Sequence, residues 1–258
     1  MDYSEICAAV KTVAKSAGDF IAEQRESFTF DKVEFKGKHN LVSYVDKGAE
    51  EIIVKALSEI LPEAGFLTEE GTVESSDKPL RWVVDPLDGT TNFVHSLAPY
   101  CVSIALMDGA EVVVGVVYEI TSCEMFYAWK GSDAYLNGKK IRCSSVDKLD
   151  NALVTTGFAY KIDDAMASFL KQIEYYQTYT DGIRRIGSAA AVMVYVACGR
   201  IDAFTQLNLC AWDVAAGALI AERAGAVVSD CKGGDDYIFG GQMVATNDKI
   251  YKEFLETL

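Results

Sequence analysis

The 258-residue sequence contains no apolar stretch long enough to span a bilayer, and its first residues, Met1-Asp2-Tyr3-Ser4-Glu5, lack the basic and apolar runs of an export signal. Its seven cysteines form no C-x-x-C pair and leave an odd count, which argues against a disulfide framework or a zinc ribbon. They read instead as small apolar residues of a reduced, cytoplasmic protein. Basic charge is also scarce: 24 Lys and Arg against 38 Asp and Glu give a formal net charge of -14, and no basic patch offsets it. Such a surface repels nucleic acid and anionic membranes, so neither is expected as a partner. Histidine is limited to His39 and His95. No internal repeat and no Pro/Gly/Ser-rich linker divides the chain, so residues 1–258 are expected to form one compact unit, with an early half (about 1–145) and a late half (about 146–258).

What is present is an alternation of helical and strand patterns. Ser4 is positioned to cap a first helix with Ile6, Val10, Val13, Ala17 and Phe20 on one face. A second helix is expected from near Asp46, through Ala49, Ile53 and Leu57, to a stop at Pro62. Short β-like segments follow at 66–68, 82–84, 101–107, 112–118 and 125–129, with hairpin signals at Asp108-Gly109 and Asn137-Gly138. The late half suggests helices at about 165–176, from near Ser188, and at about 212–224. It suggests strands at 203–205, 227–228 and 243–245, and a last helix capped by Asn247. This order is that of a layered α/β or α+β fold.

The chemistry concentrates in Trp82-Val83-Val84-Asp85-Pro86-Leu87-Asp88-Gly89-Thr90-Thr91-Asn92-Phe93. A buried strand ends at Asp85, and Pro86 and Gly89 are expected to bend the chain so that Asp85 and Asp88 lie close together. Neighbouring carboxylates repel unless a cation or proton lies between them. An Asx-type turn would account for the pair without any ligand, but Gly89 permits close backbone approach and Thr90 can open a helix whose free amides suit an anion. A cation site beside an anion site is what metal-assisted phosphoryl transfer requires. Glu69 or Glu70 after Phe66-Leu67-Thr68, and Asp213 at the start of an apolar helix, have a similar setting. Taken singly, each also reads as a loop charge or a helix cap.

Taken together, Asp85-Pro86-Leu87-Asp88-Gly89-Thr90-Thr91-Asn92-Phe93, Glu69-Glu70 and Trp212-Asp213-Val214-Ala215-Ala216-Gly217 resemble, in order and spacing, the signature segments of the inositol monophosphatase family. The resemblance covers essentially the whole chain, and implies a layered α-β-α-β-α sandwich of the sugar phosphatase type. It implies a first Mg²⁺ held by Glu69, Asp85 and the Leu87 carbonyl, a second held by Asp85, Asp88 and Asp213, and a third, weaker ion near Glu69. Oxygen-only ligands suit Mg²⁺ or Mn²⁺ rather than zinc. By the same resemblance, the Gly89 and Thr90 amides hold the phosphate, and Glu69 and Thr90, the latter oriented by Asp46, position the attacking water. Asp88, Ala189, Gln206 and Asp213 are the further substrate contacts. The implied reaction is hydrolysis of a small phosphate ester, inositol 1-phosphate first among them, by metal-activated water with no covalent intermediate. Lithium sensitivity and a homodimer are implied as well.

The sequence departs from the family pattern at two positions. Gln206 stands where a glutamate, seven residues before the Trp-Asp aspartate, contacts a sugar-like hydroxyl, and Thr68 replaces a glycine before Glu69. Gly187-Ser188-Ala189 matches a backbone segment that touches the substrate ring, and reads equally as a helix start with Ser188 as cap. Arg184 and Arg185 suit either a second phosphate or a solvated strand edge, and His95 suits the site or the surface. The alternatives are therefore a same-fold phosphatase acting on fructose bisphosphate, adenosine bisphosphate, histidinol phosphate or NADP, and a catalytically silent metal-binding or regulatory protein. A carboxylate-pair glycosidase explains neither the Gly-Thr-Thr turn nor Asp213.

Overall fold

The computed structural model describes residues 1–29, 33–37, 40–158 and 164–258, with side chains described outside 33–37, 40–42 and 164–168. His39 lies outside the described residues. In chain order the early elements are α1 (Tyr3–Ser27), β1 (Val33–Gly37), β2 (Asn40–Ser43), α2 (Tyr44–Ile60), β3 (Gly65–Thr68), β4 (Leu80–Asp88) and α3 (Thr90–Val94). The middle of the chain gives β5 (Cys101–Asp108), β6 (Glu111–Glu119), β7 (Glu124–Trp129), β8 (Tyr135–Leu136) and β9 (Lys139–Lys140). The late elements are β10 (Leu153–Thr156), α4 (Asp164–Tyr179), β11 (Gly182–Arg184), α5 (Ala189–Ala197), β12 (Ala203–Leu207), α6 (Ala211–Arg223), β13 (Ala226–Ser229), β14 (Gln242–Asn247) and α7 (Tyr251–Leu255).

Strands β3 to β9 form a seven-stranded sheet in sequence order, parallel at β3–β4 and antiparallel from there on. Gly109 turns β5 into β6, and Asn137 and Gly138, both at positive φ, turn β8 into β9, as their sequences predict. The second sheet has five strands in the order β11-β10-β12-β14-β13, with β10 parallel to both β11 and β12. Helices α1 and α2 bury Val10, Ile21, Ile53 and Leu57 against Trp82, Val84 and Ile104 of the large sheet. On its other face lie α5 and α6, shared with the small sheet, and the last core joins α4 and α7 to the small sheet's outer side through Tyr176, Val244 and Phe254. The result is the expected α-β-α-β-α layering.

Helix α5, Ala-Ala-Ala-Val-Met-Val-Tyr-Val-Ala, is apolar on every side and buried at all positions except Tyr195, as a helix between two sheets must be. Small residues bring the layers together. A Cβ on Gly217 would meet the Met193 Cβ at 2.5 Å, and one on Gly115 of β6 would lie 2.7 Å from the Ala216 carbonyl oxygen. Gly115 thus lets α6 lie directly on the large sheet.

Three local expectations are corrected by the structure, and the start of α2 near Asp46 is made specific. Asp2, not Ser4, caps α1, its carboxylate accepting from the Ser4 and Glu5 amides. Helix α2 begins at Tyr44 under Ser43, and Asp46, expected near its start, closes a reciprocal capping box with that serine. Strand β4 does not end at Asp85. Its pairing with β5 runs on to Asp88 across a register irregularity between the two aspartates, and only Gly89, at φ 95°, turns the chain. Asn247 accepts from the Lys249 and Ile250 amides in the turn before α7, whose cap position is Ile250.

The Gly115 contact gives a stability test. Gly115→Ala drives a methyl into the backbone of α6 and should cost about 1–3 kcal/mol, lowering Tm by several degrees in calorimetry. An unchanged Tm would mean that α6 is free to move off β6.

Candidate metal centre

The centre forms where β3 and β4 of the large sheet meet the starts of α5 and α6. The irregularity in β4 leaves Asp85 fully buried, one carboxylate oxygen accepting from the Leu87 amide at 2.9 Å. Asp88 reaches the start of α5, where one oxygen accepts from Ser188 Oγ and from the Ala190 amide, each at 2.6 Å. Asp213 is the third residue of α6 and accepts from the Cys210 amide at 2.5 Å. Oxygens of Asp85, Asp88 and Asp213, drawn from two distant segments, lie within 4.8 Å of one another. Glu69 follows β3. Its amide donates to the Val84 carbonyl at 3.2 Å, and its carboxyl lies against Asp85 closely enough to share a hydrogen bond.

Burial and mutual repulsion dominate the electrostatics. Glu69 is pushed up to about 8, first by burial and then by the charges of Asp213, Glu70 and Asp46, against the lowering effect of its bond to Asp85. Asp213 is pushed up to about 7 by burial and by Asp88, against the Cys210 amide. Burial also raises Asp85 well above its usual range, with Glu69, Asp88 and Asp213 adding to it. Asp88 is raised by burial too, although Ser188 and backbone amides pull it back. Among the described residues no Lys or Arg bridges any of these four carboxylates. Buried like charges of this kind require protons or a polyvalent cation. An all-oxygen donor set suits a hard ion such as Mg²⁺ or Mn²⁺, so the residues present fit the expected metal.

Beside the cluster, the Thr90 hydroxyl faces two acceptors, Asp46 Oδ1 at 3.0 Å and the Leu87 carbonyl at 3.1 Å. The other Asp46 oxygen accepts from the Ser43 amide and hydroxyl at 2.8 and 2.7 Å, so this carboxylate is fixed at both ends. Burial raises Asp46 above its ordinary value, and these donors oppose the rise. The Gly89 and Ala189 amides are both directed at the Asp88 carboxylate.

The cluster opens into a cleft of about 380 Å³, walled by Glu69, Asp88, Ala189 and Asp213 on one side and by Gly157, Phe158 and Gln206 from the small sheet. Because β10, β11 and β12 are parallel, their carboxyl ends and the starts of α5 and α6 all face this space. Gln206 lies over Gly157, where a Cβ would sit 2.1 Å from its amide group. Arg185 lines the cleft with its guanidinium over the Phe158 ring, whereas Arg184 is exposed at the edge of β11 and donates to the Ile183 carbonyl. His95 is the exposed cap residue of α3 and does not line the cleft. Ser188 both caps α5 and holds Asp88. Thr68, in the position of a glycine, donates its hydroxyl to the buried Glu50 carboxylate at 2.9 Å. Glu50, Gly157 and Phe158 carry no signal in the sequence pattern. A lone glutamate on an amphipathic helix, or a glycine after a strand, gives no signal until its surroundings are known.

The Inositol monophosphatase family model matches residues 2–258. The chain belongs to the inositol monophosphatase family. Within that family it is 40% identical over 228 residues to the inositol-1-monophosphatase of Mesorhizobium japonicum, covering 88% of this chain and 86% of that protein. It is 37% identical over 246 residues to the Nus factor SuhB of Escherichia coli K12, covering 95% and 92%. Among solved structures, the extragenic suppressor protein suhB from Bartonella henselae superposes with a TM-score of 0.92 at 34% identity, covering 98% of each chain. The Thermotoga maritima IMPase superposes with a TM-score of 0.89 at 30% identity, covering 100% of this chain and 96% of that one.

The raised carboxyls of this family member give a stability signature. In the metal-free folded state they bind protons that the unfolded chain has already released, so stability is lost as pH rises from the ordinary values of 3.8 and 4.5 through about 7 for Asp213 and about 8 for Glu69. Chelated protein should therefore show a falling Tm between about pH 5 and about pH 8, and added Mg²⁺ should raise Tm more at the upper end. A Mg²⁺ increment that does not grow with pH would mean that the cation does not replace these protons.

Proposed function

We propose that the chain is a divalent-cation-dependent phosphomonoesterase acting on a small polyol phosphate, with inositol 1-phosphate as its first candidate substrate. The observation that carries this reading is the cluster of Asp85, Asp88 and Asp213 with Glu69 against it, beside a cleft lined by helix starts, with no cationic partner among the described residues. In this reading Glu69, Asp85 and the Leu87 carbonyl hold one Mg²⁺, Asp85, Asp88 and Asp213 hold a second, and Mn²⁺ substitutes for either. Bound cations supply positive charge to the phosphate oxygens and to the leaving alkoxide, and make water acidic enough to attack at neutral pH.

The chain's own residues do the rest. The Thr90 hydroxyl, donating its hydrogen bond to Asp46, offers its lone pairs to the attacking water, and Glu69 is the second acceptor for that water. The Gly89 and Thr90 amides at the start of α3 hold the phosphate oxygens as charge develops on them, and the backbone at Ala189 meets the substrate ring. Gln206 and the adjoining wall meet the alcohol, so a fructose bisphosphate, adenosine bisphosphate, histidinol phosphate or NADP is the alternative ester. One chain-length unit, paired in a homodimer, completes the reading. A second reading, a regulatory role without hydrolysis, is favoured by relatives such as the E. coli protein at 37% identity that carry the name Nus factor.

Phosphate release across a panel of inositol, sugar, nucleotide and histidinol phosphates separates these readings. Chelation should abolish turnover, Mg²⁺ should restore it and lithium should inhibit it; full activity in excess chelator rules out the cation-dependent mechanism. Asp88→Asn keeps an oxygen for Ser188 and Ala190, so the fold should survive while kcat falls by a factor on the order of 10² or more. Near-normal turnover at saturating Mg²⁺ would make Asp88 only a cap for α5. Gln206→Glu adds a charge and removes two donors, and should raise kcat/KM for inositol phosphate relative to other esters by roughly tenfold to a hundredfold. Equal ratios in the variant would take Gln206 out of substrate recognition.

A further inference from the structure

Helix α2 carries two buried carboxylates one turn apart, Asp46 and Glu50, on the same face. Asp46 accepts from Thr90, whereas Glu50 is not among the residues that line the cleft. It is 0% exposed, and among the described residues no cation pairs with it. Its carboxylate accepts four hydrogen bonds from the end of β3 and the segment after it: Thr68 Oγ1 at 2.9 Å, the Glu70 amide at 2.8 Å, the Thr72 amide at 2.7 Å and Thr72 Oγ1 at 2.8 Å. Thr68 immediately precedes Glu69 and Glu70 immediately follows it. The Glu69 amide itself is tied to Val84 of β4, the strand that carries Asp85.

Four donors converging on one buried side chain call for an acceptor-only group with lone pairs on two oxygens, which a carboxylate supplies and an amide does not. A glutamine in the same place would turn an N–H₂ toward at least one of these donors. The cost of burying an unpaired charge is accepted here at the residue whose partners flank Glu69 on both sides. We propose that Glu50 is a positioning residue: it clamps the chain on either side of Glu69 and thereby sets the Glu69 carboxyl against Asp85 for divalent-cation binding. Together with Asp46, it makes one face of α2 the template for both water-orienting residues. The inference rests on the cation-dependent reading above, but its test does not require turnover.

The experiment is a calorimetric Mn²⁺ titration of the native protein, Glu50→Gln, Glu69→Gln and the double variant, each checked for native-like thermal unfolding. Glu50→Gln should weaken Mn²⁺ binding about tenfold or more, the scale of a lost support behind a metal ligand. The double variant should bind no more weakly than Glu69→Gln alone, since Glu50 acts through Glu69. A folded Glu50→Gln whose Kd lies within about twofold of native, or additive effects in the double variant, would overturn the proposal. Should Glu50→Gln fail to fold, Thr72→Val removes one hydroxyl donor and leaves both amides in place. It should weaken Mn²⁺ about threefold, and unchanged affinity overturns the proposal there. Native protein that binds Mn²⁺ with the expected pattern but hydrolyses no ester refutes the phosphatase and leaves Glu50 in its role; native protein that binds no Mn²⁺ refutes both.

Discussion

Repulsion among carboxylates packed side by side in a buried crevice is the constraint around which this molecule is arranged. Asp85, Asp88 and Asp213 approach within 4.8 Å, with Glu69 against Asp85, and neutral donors hold them there. The Leu87 amide holds Asp85, Ser188 and the Ala190 amide hold Asp88, and the Cys210 amide holds Asp213. Hydrogen bonds from amides and hydroxyls fix geometry without cancelling charge, so the cluster keeps a strong demand for positive charge that protons or a cation must meet. A lysine or arginine in the crevice would satisfy that demand permanently and close the site.

Much of the fold follows from the need to bring four chain segments to that crevice. The small residues of α5 and α6 allow both helices to lie between two sheets, with Gly115 and Gly217 removing the side chains that would hold the layers apart. Parallel pairing of β10 with β11 and β12 points the carboxyl ends of all three strands, and the helices that follow two of them, toward the cleft. The irregularity in β4 allows Asp85 and Asp88, three residues apart, to serve one centre from one strand. Helix α2 then braces the centre from the far side of the large sheet through Asp46 and Glu50.

The cleft wall opposite the carboxylates is built differently. Gln206 lies on Gly157 with neutral amide chemistry, and Arg185 rests on Phe158. That wall belongs to the small sheet and meets the acidic centre only through tertiary packing. Under the proposed reading, this wall would select the alcohol part of a substrate, and its residues could change while the charge cluster stays intact.

Local sequence determined a great deal here because its signals were short-ranged. Helical periodicity identified the packed faces of α1 and α2, paired turn residues identified the Asp108-Gly109 and Asn137-Gly138 hairpins, and the spacing of Glu69, Asp85-to-Phe93 and Asp213 identified the family and the acidic constellation. Tertiary structure alone decided that β4 continues through Asp88, since strand length depends on what β5 offers as a partner and not on Pro86 or Gly89. It alone brought Ser188 and Ala190 to Asp88 across about a hundred residues, and turned Thr68 from an unexplained departure into a donor to Glu50. A hydrogen bond needs its partner within about 3 Å, and no periodicity along the chain records which distant residue the packing will deliver to that distance.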